Sequence, residues 1–586
     1  MMKNISFNTQ KRLAYYTLMF VLFSLGACQS GVKLPSGDSD NGGLTLPGGF
    51  EAVVVVDSIG RARHLTVRDN GDIYVKLRVG NEEGQGIVAL RDTDGNGKAD
   101  IVNTFGSYPE IGSYGTGMEI YNGYLYFSTA GDVFRIKIDP ENLVPEGEAE
   151  LIMRDDYKNA FYGYEHIAKP LAFDNEGNMY VPFGSPGDVC QEFNRRPGLP
   201  GMLPCPQLEW HGGIWRFDAN KPNQTQKDGY LYATGIRSVV AMDWNDKENS
   251  LYVVQHGRDN LYRTWPDLYS RWESAVLPSE EFLKVEEGTN AGWPYFYYDH
   301  IRGKKLLNPE YGGDKELDTG VDSVAMPIVG FPGHYAPNDL FFYTGDQFPE
   351  RYKDGAFVAF HGSTIRGPYP QAGYFVGFVP FEGDKPSGPW EVFADGFAQL
   401  DTIVNTGDAA ARPMGISMGP DGSLYITESV QGKIWRVMYP GDKEDFSDEA
   451  LEELAKRKES RTNIRKPDEE QDNLEKGLLE VGAQTYNVYC ATCHQSNGLG
   501  DGTRFPPLAG TKWVRGNKKE LINVILQGLE GQIEVDGVPY NGIMPAHSFL
   551  SDAEVAGVLT YIRKSFGNNS SSISAIEVAN ARKEIK

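Results

Sequence analysis

The sequence predicts an all-β six-bladed β-propeller followed by a small all-α domain. Two observations carry this. From about residue 47 to 440 one strand–turn–strand unit recurs six times, and beyond residue 476 the apolar residues adopt helical spacing around one Cys-x-x-Cys-His pentad. The repeat is an apolar-alternating strand, a polar turn ending in Gly, and a short aromatic strand. Leu65–Tyr74, Leu171–Tyr180 and Ile416–Tyr425 are clear copies; Met118–Tyr126, Ala241–Tyr252 and Leu340–Val358 are weaker ones. Alternation across an Asp-Gly or Asn-Gly type turn is a hairpin signal. Six all-strand units of this size point to a propeller, whereas a two-sheet sandwich would not repeat one hairpin six times.

Composition bounds the function. Across 586 residues, 56 Lys plus Arg face 80 Asp plus Glu, a net charge of −24, which excludes a nucleic-acid partner because phosphates demand a basic face. Five Cys are too few for a disulfide scaffold, so each is read separately.

The N-terminus reads as an export signal. Lys11 and Arg12 precede an apolar run, Leu13 to Leu25, too short to span a bilayer. It ends Leu25-Gly26-Ala27-Cys28, which resembles a bacterial lipobox, with an ordinary signal peptide as the alternative. Residues 1–27 are then a lipoprotein signal peptide and Cys28 is lipidated. Gln29 follows where an Asp would redirect sorting. The expectation is an exported lipoprotein on the periplasmic side or cell surface, anchored to the outer membrane. Removing Lys3, Lys11 and Arg12 with no acid takes the net charge from −24 to −27. Residues 28–46, rich in Ser, Gly and Asp, read as a flexible tether.

Inner propeller strands start around a central channel, so residues just before each hairpin converge. Those positions hold His166, Arg237 and Arg412, with Arg61 or Arg63 in the first unit. Any single Arg could pair with an acid of its own blade. Several at equivalent positions favour a polyanionic ligand.

Residues 47–440 resemble the pyrroloquinoline quinone (PQQ) dependent glucose/sorbosone dehydrogenases. The similarity rests on His166-Ile-Ala-Lys-Pro-Leu-Ala-Phe173, Gly235-Ile-Arg-Ser-Val-Val240, Asn290-Ala-Gly-Trp-Pro294, His361-Gly-Ser-Thr-Ile-Arg366 and Arg412-Pro-Met-Gly415. The resemblance implies a six-bladed propeller with PQQ over the channel mouth and His166 as general base. It implies Arg237, Arg366 and Arg412 near the cofactor, with Arg63 a further member. It also implies Ca²⁺ held partly by backbone carbonyls of the loop Gln255-His256-Gly257-Arg258-Asp259, those of Gly257 and Arg258 being the candidates and Asp259 a further one. Three departures, Ser238 for Asn, Lys169 for Arg and Thr364-Ile365 for Trp-Asn, are expected on the substrate side. The residue types suit this chemistry: arginines match a tricarboxylate, Ca²⁺ polarises carbonyls, and a neutral His accepts a hydroxyl proton.

Asp92-Thr-Asp-Gly-Asn-Gly-Lys-Ala-Asp100 matches the first half of a Ca²⁺ loop but has Asn103 where a bidentate Glu belongs, so a plain Asp/Gly turn competes with a metal site. Cys190 and Cys205 are the propeller cysteines, and export favours a disulfide over two buried thiols.

Residues 441–476 read as a solvated charged linker: 442–476 hold 21 charged residues in 35, and Ser447 can cap a helix over 448–458. A cytochrome c domain follows over 477–567, with a loose tail over 568–586. In Cys490-Ala-Thr-Cys493-His494 the two thiols reach the haem vinyl groups and His494 becomes the proximal iron ligand. A thioredoxin-like pair or half a zinc site would not need the adjacent His. After residue 476 there is one Met, Met544, and one other His, His547. Gly-Ile-Met544-Pro resembles the distal-ligand loop of class I cytochromes c, and Ser551-Asp-Ala-Glu554 is a capping box opening the last helix of that domain. Met544 is the expected sixth ligand, with His547 the alternative.

The two domains together predict a membrane-anchored quinohaemoprotein dehydrogenase. It would oxidise a sugar, aldose or related aldehyde or alcohol with PQQ and Ca²⁺, and pass electrons singly through haem c to an external acceptor: a cytochrome, a copper protein or a quinone-linked chain. The rival reading is a carbohydrate-binding propeller with an electron-transfer haem and no quinone. An eight-bladed quinohaemoprotein or a haem d₁ nitrite reductase fits six repeats poorly, and a lactonase-type hydrolase leaves the haem without a purpose.

Overall fold

The computed structural model describes residues 34–107, 115–155, 165–468 and 470–585. The expected signal peptide, residues 1–27, and Cys28 lie outside them. No helix among the described residues is long and apolar enough to cross a membrane. The chain divides into two units, Met1–Lys466 and Pro467–Lys586.

The first unit is a six-bladed β-propeller. Each blade is an antiparallel sheet of four strands in sequence order, opening with Ala62–Val67, Met118–Tyr121, Ala172–Phe173, Val239–Asn245, Pro337–Phe342 and Pro413–Met418. Blades 2 and 3 each gain a short parallel outer strand. The last blade takes its outermost strand from the N-terminal Glu51–Val56, which pairs with Ile434–Met438 and closes the ring.

The six sequence repeats are the inner two strands of the six blades. Their register aligns Thr66 with Tyr74, Glu119 with Tyr126, Ala172 with Tyr180, Asp243 with Tyr252, Leu340 with Val358 and Ser417 with Tyr425. Each of these tyrosines is buried. Three of their hydroxyls donate to carbonyls, Tyr74 to Leu143 at 2.7 Å, Tyr126 to Ala219 at 2.8 Å and Tyr252 to Asp384 at 3.2 Å, and Tyr180 donates to the Asp174 carboxylate at 3.0 Å. An aromatic ring fills the blade core while its hydroxyl stays satisfied, which is what makes Tyr the repeat residue.

Several boundary expectations are corrected. Part of the expected tether is packed: Leu44 and Leu46 enter the hydrophobic core, Asn41 Oδ1 accepts from the Ala52 amide at 2.9 Å, and Asp38 Oδ2 accepts from Val54 at 2.8 Å. The expected solvated linker is a strap on the propeller as far as Lys466. Its helix, Glu452–Ser460, buries Leu454, and Ile464 is buried beyond it, both against Tyr335, Phe360 and Phe375. Arg457 Nε reaches Asp395 at 2.7 Å and Lys458 Nζ sits 3.7 Å over Trp390. One narrow apolar stripe suffices because aromatic side chains of blade 5 are already there to receive it. Ser447 makes no cap; a 3₁₀ turn, Asp448–Leu451, precedes the α-helix. In the Asp92–Asp100 segment the two carboxylate oxygens of Asp92 accept from the amides of Gly95 and Gly97 at 2.9 and 2.7 Å.

In the second unit the helix Glu470–Thr485 runs through a π-turn, Tyr486–Cys490, into Ala491–His494. It packs on Asp552–Lys564, where a Cβ added at Gly482 would meet the carbonyl of Gly557. The capping box forms as expected: Ser551 Oγ accepts from the Glu554 amide and Glu554 accepts from the Ser551 amide. The tail is ordered, not loose. Asn568 donates to Leu508 and Ile562 carbonyls at 2.9 Å each, Ile573 is fully buried, and Ala575–Ile585 packs through Val578 and Ala581. The domain is helical except for one hairpin, Leu529–Val535 with Val538–Met544, that the sequence reading did not foresee.

Candidate functional site

In each blade the inner strand begins at the end where the second strand finishes. Residues before the first strand and after the second therefore meet on one face of the propeller. That face gathers His166, Arg237, Arg412 and Arg63, as expected, and adds His64, His256, His361 and Asp188, which the sequence reading missed. His256 and His361 had a signal: both are His-Gly pairs directly after a second strand. Asp188 had none, because it sits in a long irregular loop.

His166 Nδ1 lies 2.7 Å from the Ser185 carbonyl and 3.0 Å from Ser185 Oγ. Burial and the neighbouring Arg237 hold its pKa well below the ordinary imidazole value. The other ring nitrogens are pinned similarly. His256 Nε2 donates to Pro337 and His64 Nε2 to Asn338, each at 2.7 Å, and His361 Nε2 meets Ser429 Oγ at 2.6 Å. Burial brings His64 and His256 to about 4 and lowers His361 strongly. At neutral pH the positive charge on this face is arginine charge.

Arg237 is buried and forked. Nη2 donates to Asp188 Oδ1 at 2.5 Å and Nη1 to the Gly257 carbonyl at 2.8 Å, while Nε has no partner. Asp188 stays ionised, its carboxyl held well below the usual range because Arg237, Arg258 and Arg195 outweigh its desolvation. Arg412 donates to the carbonyls of His361 and Gly362 at 3.1 and 2.6 Å and lies 5.5 Å over Tyr374. It has no carboxylate partner among the described residues, and burial lowers its pKa. Arg63 is buried among His64, His256 and His361 and depresses all three. Arg366 stands beside His334 and Tyr335 and lines a different pocket.

Arg258 points inward. Its guanidinium is buried against Glu310, with Asn308 and Thr264 completing the contacts. Of the two carbonyls expected to hold Ca²⁺, that of Gly257 accepts from Arg237. Asp259 lies 3.3 to 3.4 Å from Arg195 and Arg237. Ca²⁺ takes six to eight oxygen ligands, and the described residues contain no cluster of three or more ligating side chains. Any Ca²⁺ held here would therefore rest on backbone carbonyl oxygens and on oxygens of a bound cofactor. Lys169, expected on the substrate side, is fully buried, 2.7 Å from Asp155 and 4.4 Å over Phe183, an ion pair between the end of blade 2 and the start of blade 3.

A polyanion such as PQQ does fit. Arg237 has an orphaned buried Nε, Arg412 has only carbonyl partners, and the flanking imidazoles are neutral. The loop behind His166 and Arg237 is closed by a disulfide between Cys190 and Cys205.

In the second unit Cys490 and Cys493 are free thiols beside His494. His494 Nδ1 donates to the Pro506 carbonyl at 2.9 Å, which leaves Nε2 free for a metal. These residues line a cavity of about 330 Å³ with Tyr489, Pro506, Met544 and His547. The unforeseen hairpin ends at Met544 and delivers it there. A covalent haem fits this donor set: two thiols, one tautomer-fixed imidazole and a facing thioether.

Residues 44–440 match the TrAA12-like family and residues 479–565 the cytochrome c family. Cytochrome c-552 of Thermus thermophilus is 46% identical over 91 residues, 15% of this chain and 69% of its own length. The cytochrome c subunit of a quinone alcohol dehydrogenase from Gluconacetobacter polyoxogenes is 38% identical over 105 residues, 17% of this chain and 22% of its own. Among solved structures, the holo PQQ domain of pyranose dehydrogenase from Coprinopsis cinerea superposes with a TM-score of 0.54 at 17% identity, covering 69% of this chain and 98% of that one. A calcium structure of the Trichoderma reesei family AA12 enzyme gives 0.53 at 16% identity over 70% and 99%. These superpositions show the shared propeller fold. On the match over residues 44–440, the chain belongs to the TrAA12-like family, and it carries a cytochrome c domain after its propeller.

Proposed function

We propose that this protein is a quinohaemoprotein dehydrogenase that oxidises a sugar or related alcohol or aldehyde and relays the electrons through its own haem c to an external acceptor. The observation that carries this is a neutral, tautomer-fixed His166 beside an arginine-lined face, in one chain with a complete haem-attachment pentad. The fold shared with a PQQ domain and the kinship to a quinone dehydrogenase's cytochrome c subunit support it.

When bound, PQQ would supply a two-electron acceptor and haem c a one-electron relay. Arg237, Arg412 and Arg63 would hold the carboxylates of the quinone. His166 takes the substrate hydroxyl proton at Nε2, because Nδ1 already carries a proton toward Ser185. Asp188 keeps the Arg237 fork oriented. Ca²⁺ would enter only with oxygen ligands the cofactor brings, and no step here depends on it. Cys490 and Cys493 would hold the haem covalently, and His494 and Met544 would ligate its iron. A lipid on Cys28 would hold the protein at a membrane surface on the exported side, near a respiratory acceptor. The test is an optical titration: with PQQ loaded, a panel of sugars and aldehydes should reduce the haem without added mediator. A haem that stays oxidised throughout the panel refutes the dehydrogenase reading in favour of a carbohydrate-binding propeller.

A further inference from the structure

Residues 256–279 join the second and third strands of blade 4 and carry two short helices, Leu261–Thr264 and Arg271–Val276. Between these helices and the blade 5 loop at Ile365–Gly367 lies a cavity of about 290 Å³. Arg263, Arg271 and Arg366 all line it, together with Asn260, Tyr262 and Ser274. No Asp or Glu among the described residues does. Arg366 is 1% exposed, and its Nε and Nη1 have no hydrogen-bond partner. Burial lowers its pKa to about 10. Arg263 and Arg271 are exposed at the rim, and Arg271 lies 5.1 Å over the Tyr262 ring.

Three like charges around one cavity, one of them buried with unmet donors, are costly unless an anion offsets them. Guanidinium forks match a planar carboxylate. The cavity is larger than a lone carboxylate needs and is near the size of small-ligand pockets. It also adjoins the arginine face: Asp259, which contacts Arg237, directly precedes Asn260.

We propose that this pocket is a carboxylate-binding subsite, and that the substrate is an acidic sugar, a uronic or aldonic acid unit, free or at the end of an oligosaccharide. The substrate role rests on the dehydrogenase reading; the binding does not. Calorimetric titration of the PQQ-loaded holoprotein with D-glucuronate and D-glucose tests it. Glucuronate should bind at least tenfold tighter than glucose. In Arg263→Gln and Arg271→Gln that preference should fall about tenfold, while PQQ titration of the same variants matches the parent. Equal affinity for the two sugars overturns the proposal. So does a loss of PQQ affinity in either variant, which would assign the pocket to a carboxylate of the cofactor. Because calorimetry needs no turnover, the two readings fail separately. Glucuronate preference with a haem that no sugar reduces refutes only the dehydrogenase. Haem reduction by neutral sugars with no uronate preference refutes only the subsite.

Discussion

The Ser185 carbonyl lies 2.7 Å from Nδ1 of His166, and this contact decides which nitrogen can act. A carbonyl only accepts, so Nδ1 holds the proton and Nε2 the lone pair. His166→Gln should retain PQQ binding but slow sugar-driven haem reduction by about 10²–10⁴-fold. The pH profile has a defined sign. Since burial and Arg237 depress the His166 pKa, the neutral base persists below pH 6.5, and the rate should fall only at more acid pH. Stopped-flow reduction of the haem between pH 4.5 and 8 checks both; a rate that falls as pH drops through the ordinary imidazole range would contradict the assigned shift.

Arg237 spans Asp188 and the Gly257 carbonyl, with its buried Nε unpartnered. Lysine keeps the charge but not the fork. Arg237→Lys is therefore expected to weaken PQQ binding by about tenfold to a hundredfold, the equivalent of one or two charge-assisted hydrogen bonds. Fluorescence titration of apoprotein with PQQ measures it.

The Cys190–Cys205 disulfide closes a loop of sequence separation 15, which the chain-entropy estimate values at about 3 kcal/mol. Ser185 and Asp188 lie just before that loop. Cys190→Ser/Cys205→Ser should lower propeller stability by about that amount in urea and also weaken PQQ binding. Reductant should reproduce both effects in the parent and neither in the variant.

Met544 and His547 both line the haem cavity, and His547 Nδ1 is buried without a partner. If Met544 is the axial ligand, Met544→Ala should lower the haem midpoint potential by on the order of 0.1 V, within the roughly 0.8 V that axial ligation spans. His547→Ala should leave it near the parent value. Spectroelectrochemistry of the two variants distinguishes the ligands.

Gly482 and Gly557 are the crossing point of two cytochrome-domain helices. Gly482→Ala should destabilise that domain by about 1–3 kcal/mol through overpacking. Thermal melting followed at the haem band should show this while the propeller transition stays put.

Much of this was legible in the sequence, and the reasons are local. The six hairpins announced themselves because each encodes its own turn and five of the six place a buried Tyr at the same point. The pentad Cys490–His494 carries its ligands in five consecutive residues. What escaped was set by distance. Asp188 acts on Arg237 across a long loop that has no periodicity. Leu454 and Ile464 looked too sparse for a core because the aromatic wall that receives them belongs to another part of the chain. Leu44 and Leu46 escaped for the same reason, hidden in a segment whose composition is that of a tether. The Met544 hairpin has the polar, glycine-bearing strands that alternation reads poorly. Lys169 stands where the family pattern has Arg, but its role turns on Asp155, whose place the sequence did not reveal.

The pairing of Val54 with Trp435 has a temporal meaning. A ring fastened by its first strand and its last cannot be completed until the last strand, Ile434–Met438, is free to pair. The earliest strand must wait, unpaired, for a partner near the far end of the propeller, which is the slow, high-contact-order route to a native state. Until then its edge is open to other chains. Closure of the propeller thus comes late in folding, and any factor that shields an unpaired edge strand in that interval acts on this protein's yield before it ever meets a substrate.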